Sequence, residues 1–435
     1  MAENIVKQNL SPQAAGETNR EIKKEYTKEI VKEFEKDQIN ENDLTKESAG
    51  EIENDRMKKS ANENENDHMK ENAKENENDH KKESAKEIEN NHTKVYAANG
   101  KKIEIEKEEK KEERKSSMFA AFVRDMIARM TADRLIGPKI QNGEIRKNLV
   151  EPPWKCPACF HQTQIDLPRC RAQLLSLAQN PNLNRVVLQL HGGGYIGAMR
   201  NKYRSFAGLY NEIGGGINVF TPDYRVAPQD PYPAALEDAV DAWNWLLKSG
   251  CVPEKIVVAG DSAGGGLALG LCLYLKDHGM ALPEGLILMS PWTDLTASGE
   301  SYETNFTKDP LFGNTKESMI YNRDYVGDED PRNPYISPLF GSYEGFPPML
   351  IQVGSIEMLL SDSVSLAKKA KEAGVKVRLS IYEGMFHVFQ MGELMLQESK
   401  KAWEEAGKFL RVLDLRRKQT FTMQEEEDLY GNEAE

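Results

Sequence analysis

VVAGDSAGGG, Val257 to Gly266, is an apolar run that turns within a few residues into a serine flanked by glycines at 260 and 264. The residues before it, KIVVAG, are rich in β-branched side chains and read as a strand, and those after it, SAGGGLALGLCLYLKDHG, read as a helix of small and apolar residues. Between strand and helix, Gly260-Asp261-Ser262-Ala263-Gly264 fits the pattern G-x-S-x-G, and that setting makes a common string a nucleophile elbow. A side chain at either glycine would collide with neighbouring backbone, and so tight a bend holds its serine in a strained conformation with the hydroxyl turned outward. Ser262 is therefore expected to be presented rather than buried. It also starts a helix, whose free N–H groups and positive end favour an anion forming beside it.

Working outward, NRVVLQLHGGGY gives a strand over Val186 to Leu190, GINVFTPDYR a second around Val219 and Phe220, and EGLILMSPW, PPMLIQVGS and VKVRLSIYEG three more. Helical stretches alternate with them: in PYPAALEDAVDAWNWLLKSG, Ala235, Val240, Trp243, Leu246 and Leu247 recur at three-and-four spacing, and SDSVSLAKKAKEAG separates the last two strands. This order predicts an α/β fold, a mostly parallel central sheet flanked by helices, with the site in the loops at the carboxyl ends of the strands.

A nucleophilic serine needs a base, an orienting acid and a place for the oxyanion. The region after residue 117 offers His161, His191, His278 and His387. His161 precedes the first of these strands, and His278 sits at the polar end of the helix after the elbow. His191 reads as a structural residue pinning its glycine loop. His387, in YEGMFHVF, follows the last strand and fits the chain order serine, acid, histidine that accompanies this elbow. For the acid, GSIEMLLSDS holds Glu357 and Asp362. Glu357 lies in the loop at the strand end and is preferred, because capping the next helix is reason enough for Asp362. Gly192 to Gly194 end a strand without side chains, so their N–H groups can approach a substrate oxygen, with the Ala263 N–H directly after the nucleophile as a further donor. The triplet Gly214 to Gly216 reads only as a helix end and turn.

Charge and apolar content are unevenly spread along the 435 residues. Residues 1–117 are mostly Glu, Lys, Asn and Asp, too poor in apolar side chains to offset the entropy of ordering, and are expected to be a disordered tail. From Lys46 this tail repeats every 12 residues (KESAGEIENDRM, KKSANENENDHM, KENAKENENDHK, KESAKEIENNHT). With about 3.6 residues per helical turn, such a period does not build a coiled-coil seam. His68, His80 and His92 recur with it and read as solvated positions rather than a metal array. The net charge of −13, without a basic stripe, argues against nucleic-acid binding. Five cysteines argue against a disulfide framework, and neither a signal peptide nor a stretch of the ~20 apolar residues a bilayer span needs is found, which points to the cytoplasm. Cys156, Cys159, His161 and Cys170 begin like a zinc site but lack the second C-x-x-C, so an ordinary loop is the simpler reading and no metal or cofactor is expected. The closing QEEEDLYGNEAE reads as a solvated acidic end, 419–435.

HGGGY, DYRVAPQDPYPAALEDA, GDSAGG, SPWTDL and YEGMFHVF, in this order, resemble the hormone-sensitive-lipase-like branch of the α/β-hydrolases, carboxylesterases with an HGGG loop. The resemblance covers about Met118 to Leu413. It implies cofactor-free hydrolysis of small esters of short or medium acyl chains, and a domain over 118–418 carrying a helical cap built from about 118–150 and part of 295–335. By similarity Ser262 is the nucleophile, His387 the base, and Gly193, Gly194 and Ala263 the oxyanion donors. The family more often has Asp as the acid, before a Pro-Leu pair, so EMLLSD departs from it; aligning the pattern on the helix that ends at Gly374 places Glu357 in register. An amidase or peptidase, or a ligand-binding receptor on the same fold, are the alternatives, and a receptor would be expected to lack the histidine. The oligomeric state, a homodimer included, stays open.

Overall fold

The computed structural model describes residues 116–179, 182–418, 425, 429 and 430. The repeats and their histidines, and most of 419–435, lie outside the described residues. Helices α1 (Met118–Ala132), α2 (Gly137–Gln141) and α3 (Glu144–Asn148) precede the sheet. There follow β1 (Phe160–Asp166), β2 (Arg171–Leu177), β3 (Asn182–Leu190), α4 (Asn201–Ile213), β4 (Ile217–Asp223), α5 (Ala234–Lys248), β5 (Ile256–Asp261) and α6 (Ala263–Asp277). The chain continues through β6 (Gly285–Met289), α7 (Ser301–Thr304), β7 (Met349–Gly354), α8 (Leu360–Glu372), β8 (Val377–Tyr382) and α9 (Gln397–Arg417).

The eight strands form one sheet in the order β1-β2-β4-β3-β5-β6-β7-β8. From β4 to β8 neighbouring strands are parallel, as the alternation of strands and helices predicts, while β1–β2 and β2–β4 are antiparallel. The β1–β2 hairpin is the part that the sequence reading missed, having taken residues 156–170 as a loop. The reason is compositional: β1, FHQTQID, has only Phe160 and Ile165 as large apolar residues and is set by its pairing with β2, from Phe160 opposite Leu177 to Asp166 opposite Arg171.

Successive side chains of the central strands go to opposite faces, and both faces are covered. Val186, Leu188, Val258, Leu286, Leu288 and Ile351 pack with α5, α6 and α8 on one side; Val187, Val219, Val257, Ile287 and Leu350 pack with α4 and α9 on the other. Leu429 is buried in this second cluster and the ring of Tyr430 lies under Arg416, so the C-terminal end is not wholly solvated as its acidity suggests: two apolar groups return to the core. On α1, Ala120, Val123 and Ile127 pack against Met385, Phe386 and Phe389, the loop after β8. Ser117 ties the start of that helix to Glu398 at the start of α9.

The register aligns the carboxyl ends that matter: Leu190 lies opposite Gly260, Asp261 opposite Met289, and Met289 opposite Gln352. The loops leaving β3, β5, β6, β7 and β8 therefore emerge at one edge of the sheet. Among the described residues, no helix is long and apolar enough to cross a membrane.

Candidate active site

The elbow has the geometry its sequence requires. Ser262 takes φ 52° and ψ −123°, a left-handed conformation that costs a non-glycine residue roughly 1–3 kcal/mol. Its N–H donates to the Met289 carbonyl at 2.9 Å, and its own carbonyl accepts from Gly266 and Trp292 at 3.1 and 2.9 Å, so backbone bonds on both sides hold the bend. A Cβ at Gly260 would come within 2.3 Å of the Gly264 carbonyl oxygen, and one at Gly264 within 2.1 Å of the Leu190 oxygen, which is why both positions are glycine. Ser262 nevertheless has only 8 % of its surface exposed. The expectation of an openly presented serine is corrected: the residue is largely covered.

His387 covers it from one side. Its Nε2 is 2.9 Å from Ser262 Oγ, and its Nδ1 is 2.9 Å from Glu357 Oε2. A carboxylate facing Nδ1 fixes the proton there and leaves the Nε2 lone pair free to accept from the serine. Glu357 is fully buried, and its other oxygen, Oε1, accepts from Ser290 Oγ at 2.8 Å and from the Gly354 N–H at 2.5 Å. Ser290 also accepts from the Val388 N–H at 3.1 Å, linking the acid to the histidine loop. Residues of the 295–335 stretch complete the wall. Asn305 donates to the Glu357 carbonyl at 2.8 Å, Asp309 accepts from Met358 at 2.8 Å, and the Phe312 ring centre is 4.8 Å from that of His387.

Asp362 lies elsewhere. It does not cap its helix as the sequence suggested: α8 has Leu359 at its N-cap with no side-chain bond, and Asp362 sits inside the first turn. Its Oδ2 accepts from the backbone of Thr293 and Asp294, at 2.7 and 2.9 Å, bracing the loop after β6. Burial pushes its carboxyl up to about 8. The folded protein thus keeps a proton that the unfolded chain releases near pH 4. The sign follows: this contribution to stability is full below about pH 4 and is lost as pH rises toward 8. In thermal melts, raising the pH from about 5 to about 8 should lower the midpoint of the parent more than that of Asp362→Asn, which has no such proton; equal slopes would refute the assignment.

The glycine loop after β3 lies beside the serine. His191 is fully buried, its ring stacked 4.0 Å from that of Tyr224, and burial lowers its pKa to about 3, so it is neutral. Its Nδ1 is 2.9 Å from the Gly192 carbonyl, the pinning role read from the sequence. Gly192 donates to Asp261 Oδ1 at 3.0 Å, and a Cβ there would meet Asp261 Oδ2 at 2.2 Å. Gly193 and Gly194 have φ 131° and 64°. Among the described residues no protein acceptor takes the N–H of Gly193, Gly194 or Ala263, the three positions expected to serve an oxyanion. Two participants escaped the sequence reading, Ser290 and Asp261. Their signal was positional, since each ends or follows a strand next to a site loop.

His278 accepts its place at the end of α6, with Nδ1 2.8 Å from the Tyr274 carbonyl, and His161 stands on β1. Cys156, Cys159, His161 and Cys170 do not gather, and the described residues contain no group of three or more His, Cys, Asp or Glu placed to hold a metal ion.

The chain is similar to known proteins. A family model described as alpha/beta hydrolase fold matches residues 187–391. An acetyl-hydrolase of Streptomyces hygroscopicus is 37% identical over 248 residues, covering 57% of this chain and 82% of that protein. An ethyl acetate hydrolase of Pseudomonas putida is 31% identical over 216 residues, covering 48% of this chain and 67% of that protein. The crystal structure of an esterase from the bacterial hormone-sensitive lipase family superposes with a TM-score of 0.60 at 33% identity, over 70% of this chain and 99% of that one. With its sheet, its elbow and these relatives in agreement, the chain belongs to the hormone-sensitive-lipase-like carboxylesterase family of the α/β-hydrolases.

Proposed function

We propose that Ser262, His387 and Glu357 are the nucleophile, base and orienting acid by which this esterase cleaves carboxylic esters of short to medium acyl chains. One observation carries the reading: two consecutive 2.9 Å contacts join the three side chains, each borne by the loop after a different strand. Ser262 Oγ adds to the ester carbonyl while His387 Nε2 takes its proton, and the buried Glu357 stabilises the imidazolium. The carbonyl oxygen, now an anion, is received by the N–H groups of Gly193, Gly194 and Ala263. His387 then protonates the departing alcohol, and water releases the acid from the acyl-enzyme by the same steps in reverse roles.

The acyl preference draws on two relatives whose names specify acetyl groups or ethyl acetate. It also draws on the contacts that Asn305, Asp309 and Phe312 make around Glu357 and His387, since residues 295–335, which we assign with 118–150 to the cap, stand over the site. The hydrolase body, 118–418 with Ser117 tied to it, is assigned to the cytoplasm, with the charged residues before it and the acidic 419–435 after it; this organisation rests on composition.

A p-nitrophenyl ester series from acetate to laurate tests the preference. We expect kcat/KM to peak between acetate and hexanoate and to fall beyond octanoate. A maximum at laurate would overturn it.

A further inference from the structure

We propose that Arg146 sets the orientation of the peptide that carries the Gly193 N–H, and is thereby a positioning residue for the oxyanion site; the inference rests on the assignment of that site above. Arg146 lies on α3, ahead of the sheet, yet its guanidinium reaches the loop after β3. Its Nη2 donates to the Gly192 carbonyl at 3.1 Å and to Tyr203 Oη at 3.0 Å. Tyr203 in turn donates to Asp261 Oδ2 at 3.2 Å, and Asp261 Oδ1 accepts from the Gly192 N–H. The side chain lies flush with the loop: a Cβ on Gly193 or on Gly197 would come within 2.9 or 2.5 Å of Arg146 Nε.

The physics of the peptide gives these contacts their consequence. In a trans peptide the carbonyl of one residue and the N–H of the next point in opposite directions. Holding the Gly192 oxygen on one side therefore turns the Gly193 N–H to the other, where it meets no protein acceptor. The glycines that let substrate approach this closely also remove the steric resistance to rotation of that peptide, since glycine populates both signs of φ with similar ease. Gly193, at φ 131°, is in a conformation other residues rarely adopt. Hydrogen bonds hold the residues on either side, the Gly192 N–H to Asp261 and the Gly193 carbonyl from the N–H groups of Ile196 and Gly197, while the oxygen of the peptide itself is met by two side chains, His191 Nδ1 at 2.9 Å and Arg146. The buried histidine is neutral, whereas the guanidinium bond is charge-assisted and of roughly twice the strength of a neutral one. A residue from outside the sheet thus takes part in preparing the site for chemistry.

The test uses the full-length protein and Arg146→Met, which keeps the apolar stem and removes the donors, with Arg146→Gln as a second variant with a polar head. Four quantities are measured: kcat and KM for p-nitrophenyl butyrate, the Ki of a trifluoromethyl ketone that forms a tetrahedral oxyanion adduct, and the Ki of the matching uncharged ether that cannot react. Loss of one oxyanion donor lowers kcat by about 100- to 1,000-fold. A donor that is misdirected for part of the time should cost on the order of 10- to 100-fold in kcat, with the ketone weakened by a similar factor. KM and the ether Ki should stay within about twofold. The proposal is overturned if a folded variant keeps the parent kcat and ketone affinity, or if ether and ketone weaken alike; if the Met variant does not fold, the Gln variant decides by the same criteria. Ser262→Ala, measured alongside, separates the two levels. If it is active and the parent ignores the ketone, the site assignment itself is wrong; if it is inactive while the Arg146 variants match the parent, only the role of Arg146 fails.

Discussion

Replacing Ser262 with alanine is expected to lower kcat for p-nitrophenyl butyrate by about 10⁶-fold while leaving a folded protein, because loss of the nucleophile in a triad removes nearly everything the three groups do together. The fold should survive for a reason visible in the bend. Ser262 is held by its backbone, through Met289, Gly266 and Trp292, and its side chain makes no helix-capping bond. Alanine keeps the strained conformation and those three bonds. Circular dichroism and a thermal melt should therefore match the parent closely while turnover vanishes. An alanine variant that hydrolyses the ester at the parental rate would remove Ser262 from the chemistry.

The second large effect is expected at Glu357. Substitution by glutamine preserves size, and its amide oxygen can still accept from Gly354 and Ser290 as Oε1 does. What it loses is the charge opposite His387 Nδ1, so the tautomer with the proton on Nδ1 is no longer enforced and the imidazolium formed during attack goes uncompensated. A fall in kcat of about 10⁴-fold follows from the comparable change in other serine hydrolases. Asp362→Asn should retain kcat within about tenfold, since Asp362 Oδ2 is bound to the backbone of Thr293 and Asp294. If the two variants exchange these outcomes, Asp362 and not Glu357 is the orienting acid.

The central strands, the bend at Ser262 and the meeting of Ser262, His387 and Glu357 were readable because each depends on local chemistry. Val186–Leu190 and Ile256–Asp261 are buried on both faces and so appear as continuous apolar runs, and the elbow glycines are imposed by clashes at about 2 Å. Glu357 was preferred for its place at the strand end and because Asp362 was read as a cap; the contact of Glu357 with His387 agrees with the first ground, while the second fails. The β1–β2 hairpin was hidden because its outer strand is polar and is fixed by pairing, a long-range cause that leaves little trace in composition. The same applies to Ser290, Asp261 and Arg146. Their importance comes from which loops the sheet brings side by side, and Arg146 is 46 positions from the carbonyl it holds. The true place of Asp362 was also nonlocal, because a carboxylate near a helix start looks like a cap whether or not it bonds to a loop 68 residues away.

The bend at residue 262 sets hereditary and thermal demands against each other. Among the twenty amino acids, glycine adopts φ 52° with the least strain, but glycine there would lack the hydroxyl proposed to attack. Heat tolerance alone would draw this position toward a mutation that silences the enzyme. A variant that kept the hydroxyl would give up the most relaxed backbone available at this point, and stability has to come instead from the sheet and its helices.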